Sequence, residues 1–591
     1  MGGRTVRAVM LGGAVCAVAA GASAPARASV PVPEGGIAPV QLTQEPCADR
    51  TYPECRRLRF AYGPVVVAPG NNAQFVGPVT IEKPAEDGYM TRFRPDLVRG
   101  DGTSPPLDEV MLHHATWLNT LAHGPTHPFV AAGEEKTVAE PRPPYAYLVR
   151  GSDTWQLNYM LHNATPRTET LWIVYDVDFV PRAAAERRGV IPTVPVWLDV
   201  MLDSDRPTYP VFNTQLGFGG LNPRTGRREC AFPRETCAAF DPYGRPQPGN
   251  GRGWERAVTP AIAGTVVGAA GHLHPGGLRT ELSLVRRDGN VERTRRIFDS
   301  EAVYWDPNGP VSWDMSMTVA EPGWKVRIRP GDRLRMNAVY ETQRASWYEG
   351  MGIMMLWVAP DDPSGVDPFA QRTVRERVRV KVRRRERVRR RVTVHRRVGS
   401  VVRTRRVWRT RRVWRSRWVW RSRWVRRPVP IDTRGRVTHG HLPEASRHGG
   451  QAARPIRARD GAETRDVGIG NFRYSAGDLS TLERDGIPLV RYGGRLSFYN
   501  FDSAAGIWHT ITTCRPPCNG TVGISYPLAD DPSRLDSLEL GFAPSWGLGQ
   551  PAANRADYSI EPAKLKIEPG TVATYFCRVH PFMRGAFKVV R

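Results

Sequence analysis

Between Arg372 and Arg427 the chain carries 26 Lys and Arg residues and only two acids, Glu376 and Glu386. A stretch this charged cannot bury a core of its own, because unpaired charges are costly to desolvate. It divides the chain into a long N-terminal part and a shorter C-terminal one. It also holds almost all of the protein's charge: of the formal +26 over 591 residues, +24 lies here, leaving about +2 for the rest. That remainder has an ordinary apolar content, which excludes a collagen, a coiled coil and a wholly disordered chain. Its length leads one to expect three to four domains.

On both sides of the basic block the apolar residues come in short alternating runs broken by Pro, Gly and Asp. Examples are Ala146-Tyr147-Leu148-Val149, Leu171-Trp172-Ile173-Val174-Tyr175 and Val326-Arg327-Ile328. Long runs with helical period are not evident, so the pattern predicts an all-β protein of sandwich or jelly-roll type. The stretch to Pro360 is long for one sandwich and is divided near Asp205. The expected organisation is two jelly-roll domains at 40–205 and 206–360, a disordered Arg/Trp-rich linker at 361–464, and a third β domain at 465–591.

The first 28 residues read as a secretory signal. Arg4 and Arg7 precede an apolar stretch from Ala8 to about Ala20, and Ala26-Arg27-Ala28 is the favoured cleavage site. The expected location is therefore secreted or extracytoplasmic, in the periplasm or cell envelope. Seven cysteines remain after cleavage. Six form close pairs, Cys47/Cys55, Cys230/Cys237 and Cys514/Cys518, and an exported chain permits three local disulfides. A second metal pair is the alternative for Cys514 and Cys518. Cys577 is left over, and an odd cysteine in a secreted chain needs a role.

That role is suggested by its neighbours. The tail reads Cys577-Arg578-Val579-His580-Pro581-Phe582-Met583, and Trp508-His509-Thr510 lies about 70 residues upstream. A thiolate, two imidazoles and a thioether are the soft donor set of an electron-transfer copper site. The segment resembles the cupredoxins, the plastocyanin-like blue-copper domains. The resemblance implies a Greek-key β-sandwich and a type 1 copper held by His509, Cys577, His580 and Met583.

The N-terminal part holds His113-His114, then His162, then His272-Leu273-His274, then the Met-rich strand Met351-Gly352-Ile353-Met354-Met355. Singly, each histidine reads as a surface or capped residue. In this order they resemble the copper type II, ascorbate-dependent monooxygenases, which include the peptidylglycine α-hydroxylating and dopamine β-monooxygenases. The resemblance implies an electron-transfer copper on His113, His114 and His162. It implies an oxygen-binding, catalytic copper on His272, His274 and Met351, with Met354 as the alternative thioether. Where the peptide-amidating members carry residues that hold a substrate carboxylate, this chain has Ala270, Ile353 and Met355. The expected pocket is therefore more apolar, and Arg279 has no assigned place in it.

Within the basic block, Arg-Val-Trp-Arg-Thr-Arg recurs imperfectly. Trp408, Trp414 and Trp420 are six apart, as are Trp418 and Trp424. A charge-extended linker is the first reading. A tether to an anionic membrane or envelope surface is the second, and nucleic acid is the least favoured partner.

The functional expectation is a secreted copper-dependent oxidoreductase with up to three coppers. It would use O2 to hydroxylate a C–H bond of a small-molecule or peptide substrate, with ascorbate or another one-electron reductant. A redox partner protein is a further expected partner. The alternative is a non-catalytic copper-binding or electron-carrier protein.

Overall fold

The computed structural model describes residues 40–70, 74–107, 109–200, 212–214, 217–233, 258–305, 309–310, 313–343, 347–360, 362–438, 456–513, 535–542, 555–580 and 582–591. The expected signal segment, Cys237, Cys514 and Cys518 lie outside these residues. The described chain is nearly all β, as the alternating pattern predicts. It builds three separate cores between facing sheets. Among the described residues no helix is long and apolar enough to cross a membrane.

The first sandwich packs a four-stranded sheet against a larger one. The smaller sheet runs Gln74–Ile81, Thr154–Asn163, Val110–Thr120, Thr126–Ala132 in spatial order. In the larger, Glu169–Pro181 lies between Arg56–Val67 and Gly88–Arg99. Aromatic side chains fill the space between them. Phe93 meets Trp117 edge-on at 4.9 Å, and Phe129 meets Trp155 at 4.5 Å. Each such buried ring contributes about 1.5–3 kcal/mol of hydrophobic stabilisation. Beside this core, Cys47 and Cys55 form a disulfide.

The second sandwich sets Gly264–Leu273 and Gly352–Pro360 against Gly277–Asp288 and Arg333–Glu341. The strand Ile191–Asp199 joins the two sandwiches. Ile191–Thr193 pair in parallel with Tyr145–Tyr147, and Val194–Asp199 pair antiparallel with Ile353–Val358. One sheet thus runs through both halves, and Val267, Trp357 and Ala359 of the second half pack into the first core. Cys230 is disulfide-bonded.

The third sandwich faces a five-stranded sheet with a four-stranded one. Parallel pairs such as Ile487–Arg491 with Arg584–Val590 stand beside antiparallel ones such as Val572–Phe576 with Arg584–Val590. Its core holds Phe498, Tyr575, Cys577 and Met583.

The basic block corrects the linker expectation. It is not disordered: Gln371–Val398 and Val401–Pro428 form one antiparallel hairpin of 28 paired positions. Gly399 makes the reversal at φ +66°, a conformation that favours glycine. Both ends are fixed to the second sandwich. Val429 N–H donates to Ala370 O at 2.9 Å, and Gly435–Val437 extends the sheet beside Met315–Ala320. Asp367 takes Arg286 at 2.8 Å and also pairs with Arg329, while the Arg286 guanidinium lies over Phe369 at 4.7 Å. The chain therefore leaves the second sandwich and returns to it. The connection to the third sandwich begins only after Val437.

Candidate metal centres

Adjacent residues on a regular strand point to opposite faces. His113 and His114 escape this rule because the register between Val110–Thr120 and Thr154–Asn163 shifts between Leu112 and His114. Such an irregularity re-aims side chains. The two rings stand 4.4 Å apart, centre to centre, and both are buried.

His272 is the penultimate residue of the Gly264–Leu273 strand, and His274 follows in the turn. Their rings are 5.3 Å apart. The joined sheet brings this pair against the first. His114 Nε2 stands 3.0 Å from His274 Nε2, and the His114 and His272 rings are 5.2 Å apart. His113, His114 and His274 each offer a ring nitrogen, all within 4.8 Å of one another, and together could hold a metal ion.

The expected grouping is thereby changed. The His113 ring stands closer to that of His274, at 5.1 Å, than to that of His162, at 6.4 Å, and His274 completes the three-nitrogen group with His113 and His114. The reason is tertiary: the histidine-bearing ends of the two sandwiches abut, so no gap separates two sets. Met351 is buried, and its main chain is tied to the cluster by the Tyr340 hydroxyl. That hydroxyl accepts from His274 N at 3.1 Å and Met351 N at 2.8 Å, and donates to Met351 O at 2.7 Å. Met354 packs instead into the core of the second sandwich. Arg279 is engaged by Glu229 and Glu281 at 2.8 and 2.9 Å. Ala270 and Met355 pair across neighbouring strands and line a small crevice with Phe129, Ala139 and Trp357.

Three further residues of the cluster are not evident in the sequence. Glu135 Oε1 lies 3.0 Å from His272 Nδ1, leaving Nε2 for another partner. Trp313 closes one side, 4.9 Å from the His113 ring and 4.7 Å from that of His274. Tyr340 is the third. Among the described residues, His113 Nδ1 and His272 Nε2 are buried and have no hydrogen-bond partner. Buried ring nitrogens are normally paired, so these two fit a metal. Burial lowers the basicity of His113 and His114 well below the ordinary histidine value, which keeps them neutral, the ligand form.

The second centre is built on the loop after Val572–Phe576. Cys577 Sγ lies 3.8 Å from both His509 Nδ1 and His580 Nδ1, and the two Nδ1 atoms are 3.1 Å apart. Each far nitrogen is spoken for: His509 Nε2 donates to Asp502 Oδ2 at 2.9 Å, and His580 Nε2 donates to Gly70 O at 3.1 Å. In the neutral rings both Nδ1 atoms are thus left free of a proton beside the sulfur, an arrangement typical of metal-binding histidines; a protonated His509 instead donates its Nδ1–H to the thiolate. Two main-chain N–H groups, of Thr510 and His580, donate to Cys577 Sγ at 3.3 Å. Cys577 N–H donates to Met583 O and Met583 N–H to His580 O, which folds the loop so that the buried Met583 lies in the same core as Cys577.

Burial pushes the Cys577 thiol up, but the His509 and main-chain hydrogen bonds outweigh it and hold it below the ordinary thiol value. Burial likewise lowers His509, yet Asp502 and Cys577 raise it overall. Cys577 is the free cysteine among the described residues.

The two centres meet. Gly70, from the first sandwich, accepts from His580 and sits against Phe472, whose ring is 5.0 Å from that of His580. A Cβ at Gly70 would fall 2.4 Å from the Phe472 ring, and its φ is +62°. His162 hydrogen-bonds the main chain of Val579, and burial lowers its pKa to about 4.

No protein-family model matches the chain, and no curated protein matches it. Among solved structures, the copper-containing nitrite reductase NirK from Thermus scotoductus SA-01 is similar at 10% identity and a TM-score of 0.13. The match covers 56% of this chain and 59% of that one, so the chain spans little more than half the length of that reductase. The vicilin from Solanum melongena is similar at 8% identity and a TM-score of 0.11, over 53% of this chain and 76% of that one. Likenesses this slight bear on neither the sites nor the function.

Proposed function

We propose that the chain is an extracytoplasmic copper oxidoreductase in which the Cys577 centre exchanges electrons with the histidine cluster. The observation that carries this reading is His162, which hydrogen-bonds Val579 in the Cys577–Met583 loop and whose ring lies 6.4 Å from that of His113. His509, Cys577, His580 and Met583 would hold one copper. His113, His114 and His274 would hold another, with His272 and Met351 beside them. Bound copper supplies reversible one-electron chemistry at the first site and O2 chemistry at the second.

The protein's own residues perform the rest. Asp502 and Gly70 fix the tautomers of His509 and His580, and Glu135 fixes that of His272. Two N–H groups stabilise the thiolate of Cys577. Tyr340 holds the main chain of Met351 to that of His274. From Cys577 the path to His162 runs along the main chain through Arg578 to the Val579 carbonyl and across one hydrogen bond. Trp313 shields the histidine cluster from water. On this reading the reaction is O2-dependent hydroxylation of a C–H bond in an apolar substrate, with ascorbate or another one-electron reductant as the source of electrons.

Metal analysis and electron paramagnetic resonance of the full-length protein test the assignment. A type 1 signal lost in Cys577→Ser and a separate type 2 signal lost in His114→Ala are expected. A protein that binds zinc and no copper overturns it. The near-complete burial of His113, His114, His272 and His274 favours a second reading, a copper carrier without turnover. Product formation that depends on O2 and reductant separates the two.

A further inference from the structure

The hairpin carries a relationship that concerns neither centre. Trp408, Trp414, Trp418, Trp420 and Trp424 all occupy even positions of Val401–Pro428, so all five lie on one face of the ribbon. Each is more than half exposed. Across the strand pair stand Arg391, Arg385, Lys381, Arg379 and Arg375, directly opposite them. Guanidinium groups lie over three of the rings: Arg391 over Trp408 at 5.5 Å, Arg385 over Trp414 at 4.9 Å, and Arg377 over Trp420 at 5.8 Å. This face carries 13 Lys and Arg residues and no acid, while Glu376 and Glu386 both lie on the other face.

The ribbon also stores repulsion. Arg372/Arg427, Arg384/Arg415, Arg387/Arg412, Arg390/Arg409 and Arg396/Arg403 are directly paired across the strands. Like charges placed so are destabilising, and among the described residues only Arg427 of these ten is relieved by a carboxylate, that of Glu376 at 2.7 Å. An external polyanion would relieve the others. At ~3.4 Å per residue the ribbon is about 95 Å long, and it is anchored at one end only.

We propose that the Trp face of this hairpin binds an anionic lipid bilayer. Charge complementarity calls for a polyanion, and the gathering of every tryptophan of the ribbon on one face calls for a planar one. Indole rings settle at the headgroup level, and basic side chains beside them meet anionic headgroups. A nucleic acid would draw on the cations of both faces alike.

The test uses the full-length protein with vesicles of phosphatidylglycerol and phosphatidylcholine, compared with phosphatidylcholine alone. Co-sedimentation with the anionic vesicles only, weakening with salt, is expected. Brominated acyl chains should quench part of the tryptophan fluorescence. Replacing the five tryptophans by threonine, which keeps a strand-forming residue, should lower partitioning about tenfold or more and remove that quenching. Replacing Arg377, Arg379, Arg383 and Arg385 by Gln should weaken binding more than replacing Arg405, Arg411, Arg417 and Arg423. The two sets remove equal charge from opposite faces, so the comparison holds even if the tryptophan variant loses its hairpin. No vesicle binding, equal loss from both faces, or tighter binding to duplex DNA than to vesicles overturns the proposal.

Discussion

The rings of His162 and His580 stand 6.5 Å apart, centre to centre, although one belongs to the first sandwich and the other to the third. His162 also bonds the main chain of the residue before His580. A contact of this kind makes the junction of two modules part of both centres.

Replacing His162 by Phe keeps a ring of similar bulk and removes the hydrogen bond to Val579. The expected result is unchanged blue absorbance from the Cys577 centre but slower re-oxidation of that centre through the histidine cluster. Stopped-flow absorbance on the copper-loaded protein measures it, and an unchanged rate excludes His162 as the path.

Glu135→Gln and Asp502→Asn each remove the carboxylate behind one histidine. Loss of such a partner costs about 10–100-fold in metal affinity. Chelator competition should show Glu135→Gln weakening only the histidine cluster and Asp502→Asn only the Cys577 centre. Asp502 also accepts from Asn471 N and Phe472 N at 2.7 and 3.1 Å, so its replacement should loosen the turn that seats Phe472 on Gly70.

Tyr340→Phe takes one hydroxyl from three main-chain partners in a fully buried place. Leaving buried groups unpaired costs about 1–3 kcal/mol each. Urea unfolding of the metal-free protein should show a loss of about 2 kcal/mol or more, with the unfolding slope unchanged.

The base of the hairpin should be sensitive to acid. Burial raises Asp367, but the Phe369 N–H, Arg286 and Arg329 together hold it below its ordinary value of 3.8. A depressed carboxylate contributes its stability fully above the unfolded value, and loses it as pH falls through the folded one. Tryptic cleavage after Arg372 should therefore stay slow after brief exposure to mildly acidic buffer. It should accelerate once the exposure reaches below pH 3.8, or at any pH in Asp367→Asn.

The Cys577 loop was legible because three of the centre's four donors lie within seven residues and its thiol was the unpaired cysteine. The histidines of the first two sandwiches were legible one by one. Their grouping was not, because it depends on Ile191–Asp199 belonging to two sheets at once, a long-range pairing with no local signature. Gly133-Glu134-Glu135-Lys136 reads as an exposed turn. Its burial comes from the second sandwich closing over it. For the hairpin a signal existed: a spacing of six is even, so the tryptophans share a face if the segment is a strand, and Gly399-Ser400 sits between valines. Charge outweighed that signal, since self-repulsion argues for an extended, unpaired chain.

Ala370 and Val429 are hydrogen-bonded neighbours, so all that lies between them is a detour that begins and ends at one point. Its length does not enter the distance between the sandwich modules. The ribbon can be cut back or extended, six residues on each strand at a time, and the body will not register the change. An appendage with that freedom can adapt to the surface it meets while the two candidate metal centres stay as they are.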